Sequence, residues 1–189
     1  MIERVTTPDV ALEPIKGKRI ILIGMRGSGK STVGPRLAEK LKMEPVEIDK
    51  EIETAMGMPI SEVVQKLGWD AFRKEESRMI KEVVKRENVV ISTGGGAVLL
   101  EENIRELKQA GVCIWLNARA KVLRERMGDA LNRPALTEGK TAAQEIPSVL
   151  KKRKPLYKKT ADITIQTAKK SVEQVVDEIL QKLQEQHIQ

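Results

Sequence analysis

The sequence predicts an α/β fold, a three-layer α/β/α sandwich built on a five-stranded parallel sheet. Three observations carry this. Five short strand-like runs, at 20–23, 45–49, 89–93, 112–117 and 162–167, alternate with helix-like segments, and such alternation builds parallel sheets with helices on both faces. The first run, Ile20-Ile21-Leu22-Ile23, is branched and apolar at every position, as expected of a strand buried on both faces. A glycine-rich loop follows it directly and opens a helix pattern, the strand–loop–helix order of a phosphate-binding unit.

Residues 1–17 show no clear periodicity and contain Pro8, Pro14 and Gly17; they are expected to form a loose N-terminal extension. A single domain is expected over 18–189. Its helices are predicted near 30–42, 49–57, 60–67, 70–86, 101–110, 119–127, 142–159 and 171–186. Within 70–86, Ala71, Met79, Ile80, Val83 and Val84 share one face and charges occupy the rest, the pattern of an amphipathic helix. Residues 128–141 (GDALNRPALTEGKT) are irregular. A connection of that length is either a solvated crossing or a functional lid, and the lid is placed at about 128–140.

The 189-residue chain suffices for a full core. It carries 34 Lys and Arg against 27 Asp and Glu, a net charge of +7, which favours anionic partners. Four aromatic residues, Trp69, Phe72, Trp115 and Tyr157, are few for the stacking platforms of single-strand nucleic-acid binders, so no nucleic-acid partner is expected. One cysteine, Cys113, and one histidine, His187, exclude an internal disulfide and a Cys/His zinc site. The longest uncharged stretch, 88–100, is far short of the roughly 20 residues that span a bilayer. The N-terminus has acids and no apolar h-region. A cytoplasmic location without membrane attachment is expected.

Residues 24–32, Gly-Met-Arg-Gly-Ser-Gly-Lys-Ser-Thr, fit G-x-x-x-x-G-K-[ST] at the required junction. Glycines let backbone N–H groups converge on phosphate oxygens, and the following helix adds its positive end. Lys30 is expected to reach the β- and γ-phosphates and the Ser31 hydroxyl to ligate Mg²⁺. Gly27, Ser28, Gly29 and Thr32 complete a predicted site for a nucleoside triphosphate with Mg²⁺.

Glu47 and Asp49 close the second strand-like run and, if it is a strand throughout, share one side. One carboxylate could help hold Mg²⁺ and the other accept a proton from an attacking hydroxyl; equally, Asp49 could cap a helix. Arg73 and Glu76 lie three apart on a helix and can pair, though a solvated charged face is the simpler reading. Gly94-Gly95-Gly96 at the end of the third strand would admit a ligand close to the backbone, or form a plain turn.

Taken together these pieces resemble the shikimate kinases over most of residues 18–185. GMRGSGKSTVG at 24–34, Asp49, FRKEE at 72–76, GGGAV at 94–98, Arg133-Pro134 and RKPLY at 153–157 stand in that family's order. The resemblance implies a nucleoside-monophosphate-kinase-like fold and ATP-dependent phosphorylation of shikimate with Mg²⁺. It places Asp49 on the hydroxyls of shikimate, as the group that helps deprotonate the one phosphorylated. It makes Arg73 and Arg153 the clamp on the substrate carboxylate, with Glu76 orienting Arg73. Gly94, Gly95 and Gly96 line the same pocket, Gly95 offering its N–H. Arg133 becomes a lid arginine over the transferring phosphoryl group, and Arg126 packs on adenine, with 167–172 covering its other face.

Two positions depart from the family pattern. Glu47 stands where aspartate is usual, which shifts any contact with Mg²⁺, and Ala135 follows Arg133-Pro134 where leucine is common. The basic run 151–159 holds six Lys or Arg; apart from Arg153 these are expected on a solvated helix face. Cys113 and Trp115 are expected in the core, and His187 in a solvated tail. A monomer using ATP and shikimate is expected. The alternatives are another small-molecule kinase of this fold, such as a gluconate kinase, and a non-catalytic nucleotide-binding regulator.

Overall fold

A computed structural model describes residues 19–127, 141 and 143–187. The predicted extension 1–17, the predicted lid 128–140 and Arg133 within it lie outside the described residues. In chain order the elements are β1 (Arg19–Ile23), α1 (Lys30–Leu41), β2 (Glu44–Glu47), α2 (Ile48–Met56), α3 (Ile60–Val83), β3 (Val89–Ser92), a 3₁₀ turn (Ala97–Leu99), α4 (Glu101–Ala110), β4 (Val112–Asn117), α5 (Ala120–Met127), α6 (Ile146–Thr160), β5 (Ile163–Gln166) and α7 (Val172–His187). The strands form one sheet in the order β2-β3-β1-β4-β5, and every pairing is parallel.

The period-2 alternation of β1 builds the three layers. Ile21 and Ile23 join a core shared with α2, α3, α4 and α6, through residues such as Ile52, Phe72, Ile80, Leu107 and Tyr157. Ile20 and Leu22 face the opposite core with Val33 and Leu37 of α1 and Val175, Ile179 and Leu183 of α7. The sheet is therefore covered on both sides, as the apolar run at 20–23 required. Pro45 is tolerated because β2 is an edge strand. Ile80 is fully buried on α3, and its truncation to alanine is expected to cost about 2–5 kcal/mol.

The sheet order puts β1 at the switch point, with β3 on one side and β4 on the other. Ligands bind outside the carboxyl ends of strands at such a crevice, which is where the loop after β1 emerges. Among the described residues, no helix is long and apolar enough to cross a membrane.

One expectation about the elements needs correction. The strand predicted at 45–49 ends at Glu47, and Ile48 already belongs to α2. Glu47 and Asp49 therefore do not share a strand face. Ile48 is fully buried as the first residue of the helix, so its apolarity reflects core burial rather than strand continuation. The alternative of Asp49 as a cap also fails: Glu47 is the N-cap and Asp49 sits inside the first turn. The two helices predicted at 60–67 and 70–86 are present as the two segments of α3, which meet at a kink at Gly68, whose φ of 80° and ψ of 169° are not helical. The positive φ is a conformation that glycine tolerates and side-chain-bearing residues resist.

Candidate active site

The loop after β1 turns on Gly27 and Gly29, both at positive φ, so successive N–H groups curl into a concave anion nest at the start of α1. All seven nucleotide-site residues expected within the described chain, Gly27, Ser28, Gly29, Lys30, Ser31, Thr32 and Arg126, line one cavity of about 610 Å³. Lys30 Nζ donates to Gly24 O at 2.7 Å and Met25 O at 3.1 Å, which holds the ammonium over the loop. Asp49, Thr93 and Gly95 line the same cavity, as do Thr167, Lys170, Ser171 and Val172. Arg126 donates to Thr167 Oγ1 at 2.8 Å and to Thr167 O at 2.6 Å. The guanidinium and the 167–172 segment thus meet in the lining of the cavity, and among the described residues no aromatic ring lines it.

A second, smaller pocket adjoins the first. It is lined by Arg26, Ile60, Trp69, Phe72, Arg73, Glu76, Gly95, Gly96 and Arg153. Arg73 and Glu76 form an ion pair in which the Glu76 side chain is fully buried, so the solvated-face reading of FRKEE does not hold. Burial pushes the Glu76 carboxyl upward, against the opposing pull of Arg73. Arg73 also stacks over Trp69 and Phe72, 5.4 and 5.0 Å from the ring centres, which fixes the plane of its fork. Arg153 comes from α6 and is buried, donating from Nη1 to Gly95 O at 3.0 Å. The other five cations of 151–159 are exposed.

The glycines at 94–96 are packed against this charge rather than forming a loose turn. A Cβ at Gly96 would overlap the Arg73 guanidinium, and one at Gly94 would overlap Glu76 and press on Asp49. Glycine here creates room for the side chains of the pocket. Asp49, in the first turn of α2, stands where the positive end of a helix favours a carboxylate, in the lining of the larger cavity.

Glu47 is placed differently. Its carboxylate accepts a hydrogen bond from Lys50 at 2.7 Å, and it is absent from the residues lining the larger cavity. Among the described residues, no group of three or more His, Cys, Asp or Glu could hold a metal ion. A cation here would draw on Ser31 together with oxygens of the nucleotide, the mode in which Mg²⁺ is commonly bound. The hard oxygen donors of Ser31 and the cavity suit that ion.

Four contributors were not singled out by sequence reasoning. Tyr157 donates its hydroxyl to Gly95 O at 2.5 Å and stacks on Trp115 at 5.8 Å. It lies one turn beyond Arg153, and that i, i+4 spacing is a usable signal. Burial pushes its phenol up to about 12, so it remains a donor at working pH. Trp69 lines the smaller pocket, and Arg26 lines both. Glu145, with its side chain fully buried, pairs with Arg26 at 3.5 Å; nothing local marks it, because its partner is far away in sequence. Cys113 is buried in β4, and burial pushes its thiol up to about 12, consistent with a core role.

With this geometry in place, comparison with known proteins is specific. The shikimate kinase family profile matches residues 26–184. A shikimate kinase of Thermodesulfovibrio yellowstonii is 42% identical over 165 residues, covering 87% of this chain and 94% of that protein. The structure of a shikimate kinase from Acinetobacter baumannii in complex with shikimate superposes with a TM-score of 0.87 at 34% identity, covering 91% of this chain and 96% of the other. A gluconokinase from Sinorhizobium meliloti superposes with a TM-score of 0.55 at 18% identity, covering 89% of this chain and 93% of the other, a likeness of fold alone.

Proposed function

The chain belongs to the shikimate kinase family, and from that premise we infer that it transfers the γ-phosphoryl group of ATP to a hydroxyl of shikimate, giving ADP and shikimate 3-phosphate. The observation that carries this reading is the junction of the two pockets. A phosphate cradle containing Lys30 and Asp49 and a pocket containing Arg73 and Arg153 share Gly95 and Arg26, and Asp49 and the pocket's Glu76 both pack against Gly94.

Each residue then has a task. The nest at 27–29 and the start of α1 hold the triphosphate. Lys30 neutralises charge on the β- and γ-phosphates, and Arg126 packs on the adenine. Arg73 and Arg153 hold the carboxylate of shikimate; a planar fork suits a planar anion. Gly94, Gly95 and Gly96 bring backbone close to the sugar-like ring. Asp49 accepts the proton as the hydroxyl oxygen bonds to the γ-phosphorus and the bond to the β–γ bridging oxygen breaks. Arg133, assigned from the sequence match, steadies charge on the transferring group. Ser31 would hold Mg²⁺, which when bound would supply neutralisation of phosphate charge. Glu47 is tied to Lys50 and stands outside the residues that line the larger cavity. The protein works as a cytoplasmic monomer on these two small anions.

A coupled ADP-release assay with shikimate and gluconate in parallel tests the assignment. ADP release that depends on shikimate and is far slower with gluconate is the expected result. Equal or faster turnover of gluconate would replace shikimate as the substrate.

A further inference from the structure

We propose that Arg26 is a third acceptor-binding guanidinium, held by Glu145 at the boundary of the two pockets. The proposal rests on the reading of shikimate as the acceptor. Arg26 occupies a variable position of the phosphate-loop motif, yet its side chain lines the acceptor pocket as well as the nucleotide cavity. It is largely buried, and its Nη2 faces the buried Glu145 carboxylate at 3.5 Å. Its Nη1 is buried and has no hydrogen-bond partner among the described residues.

A buried guanidinium N–H without an acceptor is costly, and it is expected to find one in the functional complex. The surroundings identify which. Arg73 and Arg153 are the cations that act on Arg26 electrostatically. Both belong to the acceptor pocket, whereas the cradle already has Lys30 on its own carbonyls. Tyr157 and Glu145 also face it. Three guanidinium groups converging on one small pocket match an anionic acceptor better than a neutral polyol. Glu145 is the positioning residue: it balances one edge of the Arg26 fork and leaves the other edge for ligand.

The test compares Arg26→Met, Arg26→Lys and the double variant Arg26→Met/Glu145→Gln, which removes the carboxylate charge together with the guanidinium it faces. Wild-type turnover of shikimate is measured first, so loss of the substrate assignment is seen separately. The variants are then read by KM for shikimate and for ATP, and by shikimate Kd from tryptophan fluorescence, Trp69 lining the pocket. In both Met variants shikimate KM and Kd are expected to rise at least about tenfold, with ATP KM within about twofold of wild type. Arg26→Lys, which keeps the charge but not the fork, is expected to fall between. A purely structural pair would lower Tm without this acceptor-selective change. Shikimate affinity within about twofold of wild type in the folded variants, or an equal rise in ATP KM, would overturn the proposal.

Discussion

The phosphate cradle and the acceptor pocket lie side by side but are made differently. The cradle comes from one continuous stretch, β1–loop–α1, and its main ligands are backbone N–H groups set by Gly27 and Gly29. The acceptor pocket draws side chains from α3, α6 and the phosphate loop and backbone from Gly95 and Gly96. Its charges are buried and paired one by one: Arg73 with Glu76, Arg26 with Glu145, Arg153 with Gly95 O. A backbone-built site recognises what nucleotides have in common, their phosphates. A side-chain-built site can be tuned to one acid, at the cost of desolvating ions that need exact partners. The two should therefore fail differently when perturbed.

The largest effect is expected in the cradle. Lys30→Ala should lower kcat at least about a hundredfold, because the ammonium acts on charge that grows in the transition state. Shikimate Kd, read by fluorescence, should stay near wild type; a comparable loss of acceptor affinity would mean that the two pockets are one cooperative unit. Next comes the clamp. Arg73→Ala should raise shikimate KM about ten- to a hundredfold, the range of a charge-assisted fork contact, and leave ATP KM unchanged. An unchanged shikimate KM would remove Arg73 from the clamp.

A smaller acceptor-selective effect is expected from Gly96→Ala, because the added methyl meets the Arg73 guanidinium. A several-fold rise in shikimate KM with unaltered ATP KM would show that the glycine serves the arginine. The smallest effect belongs to Cys113. With the thiol buried and pushed up to about 12, the reactive thiolate is scarce at neutral pH. Incubation with a thiol alkylator at pH 8 should leave activity intact, and rapid inactivation would contradict its core placement.

The same contrast explains what the sequence disclosed. The cradle was legible because its parts are consecutive and each has a local reason: a buried strand, glycines in a nest, a lysine opening a helix. The sheet was legible for a similar reason, since the alternation Ile20/Leu22 against Ile21/Ile23 already contains both cores. Local pattern misled at Ile48, where burial on a helix imitates a strand residue. In the acceptor pocket, Arg73 and Glu76 were visible as a pair, but their burial was not, because it depends on Trp69, Phe72 and Gly96 closing around them. The Arg26–Glu145 pair was invisible, since only the tertiary fold brings α6 to the phosphate loop.

The measurement that tests the central claim most directly compares kcat/KM for shikimate with that for its methyl ester, which keeps the hydroxyls and removes the charge. If buried arginines confer acceptor selectivity, esterification should lower kcat/KM by about a hundredfold or more in the wild type. It should have a much weaker effect in Arg73→Ala. Equal kcat/KM for acid and ester in the wild type would contradict the account.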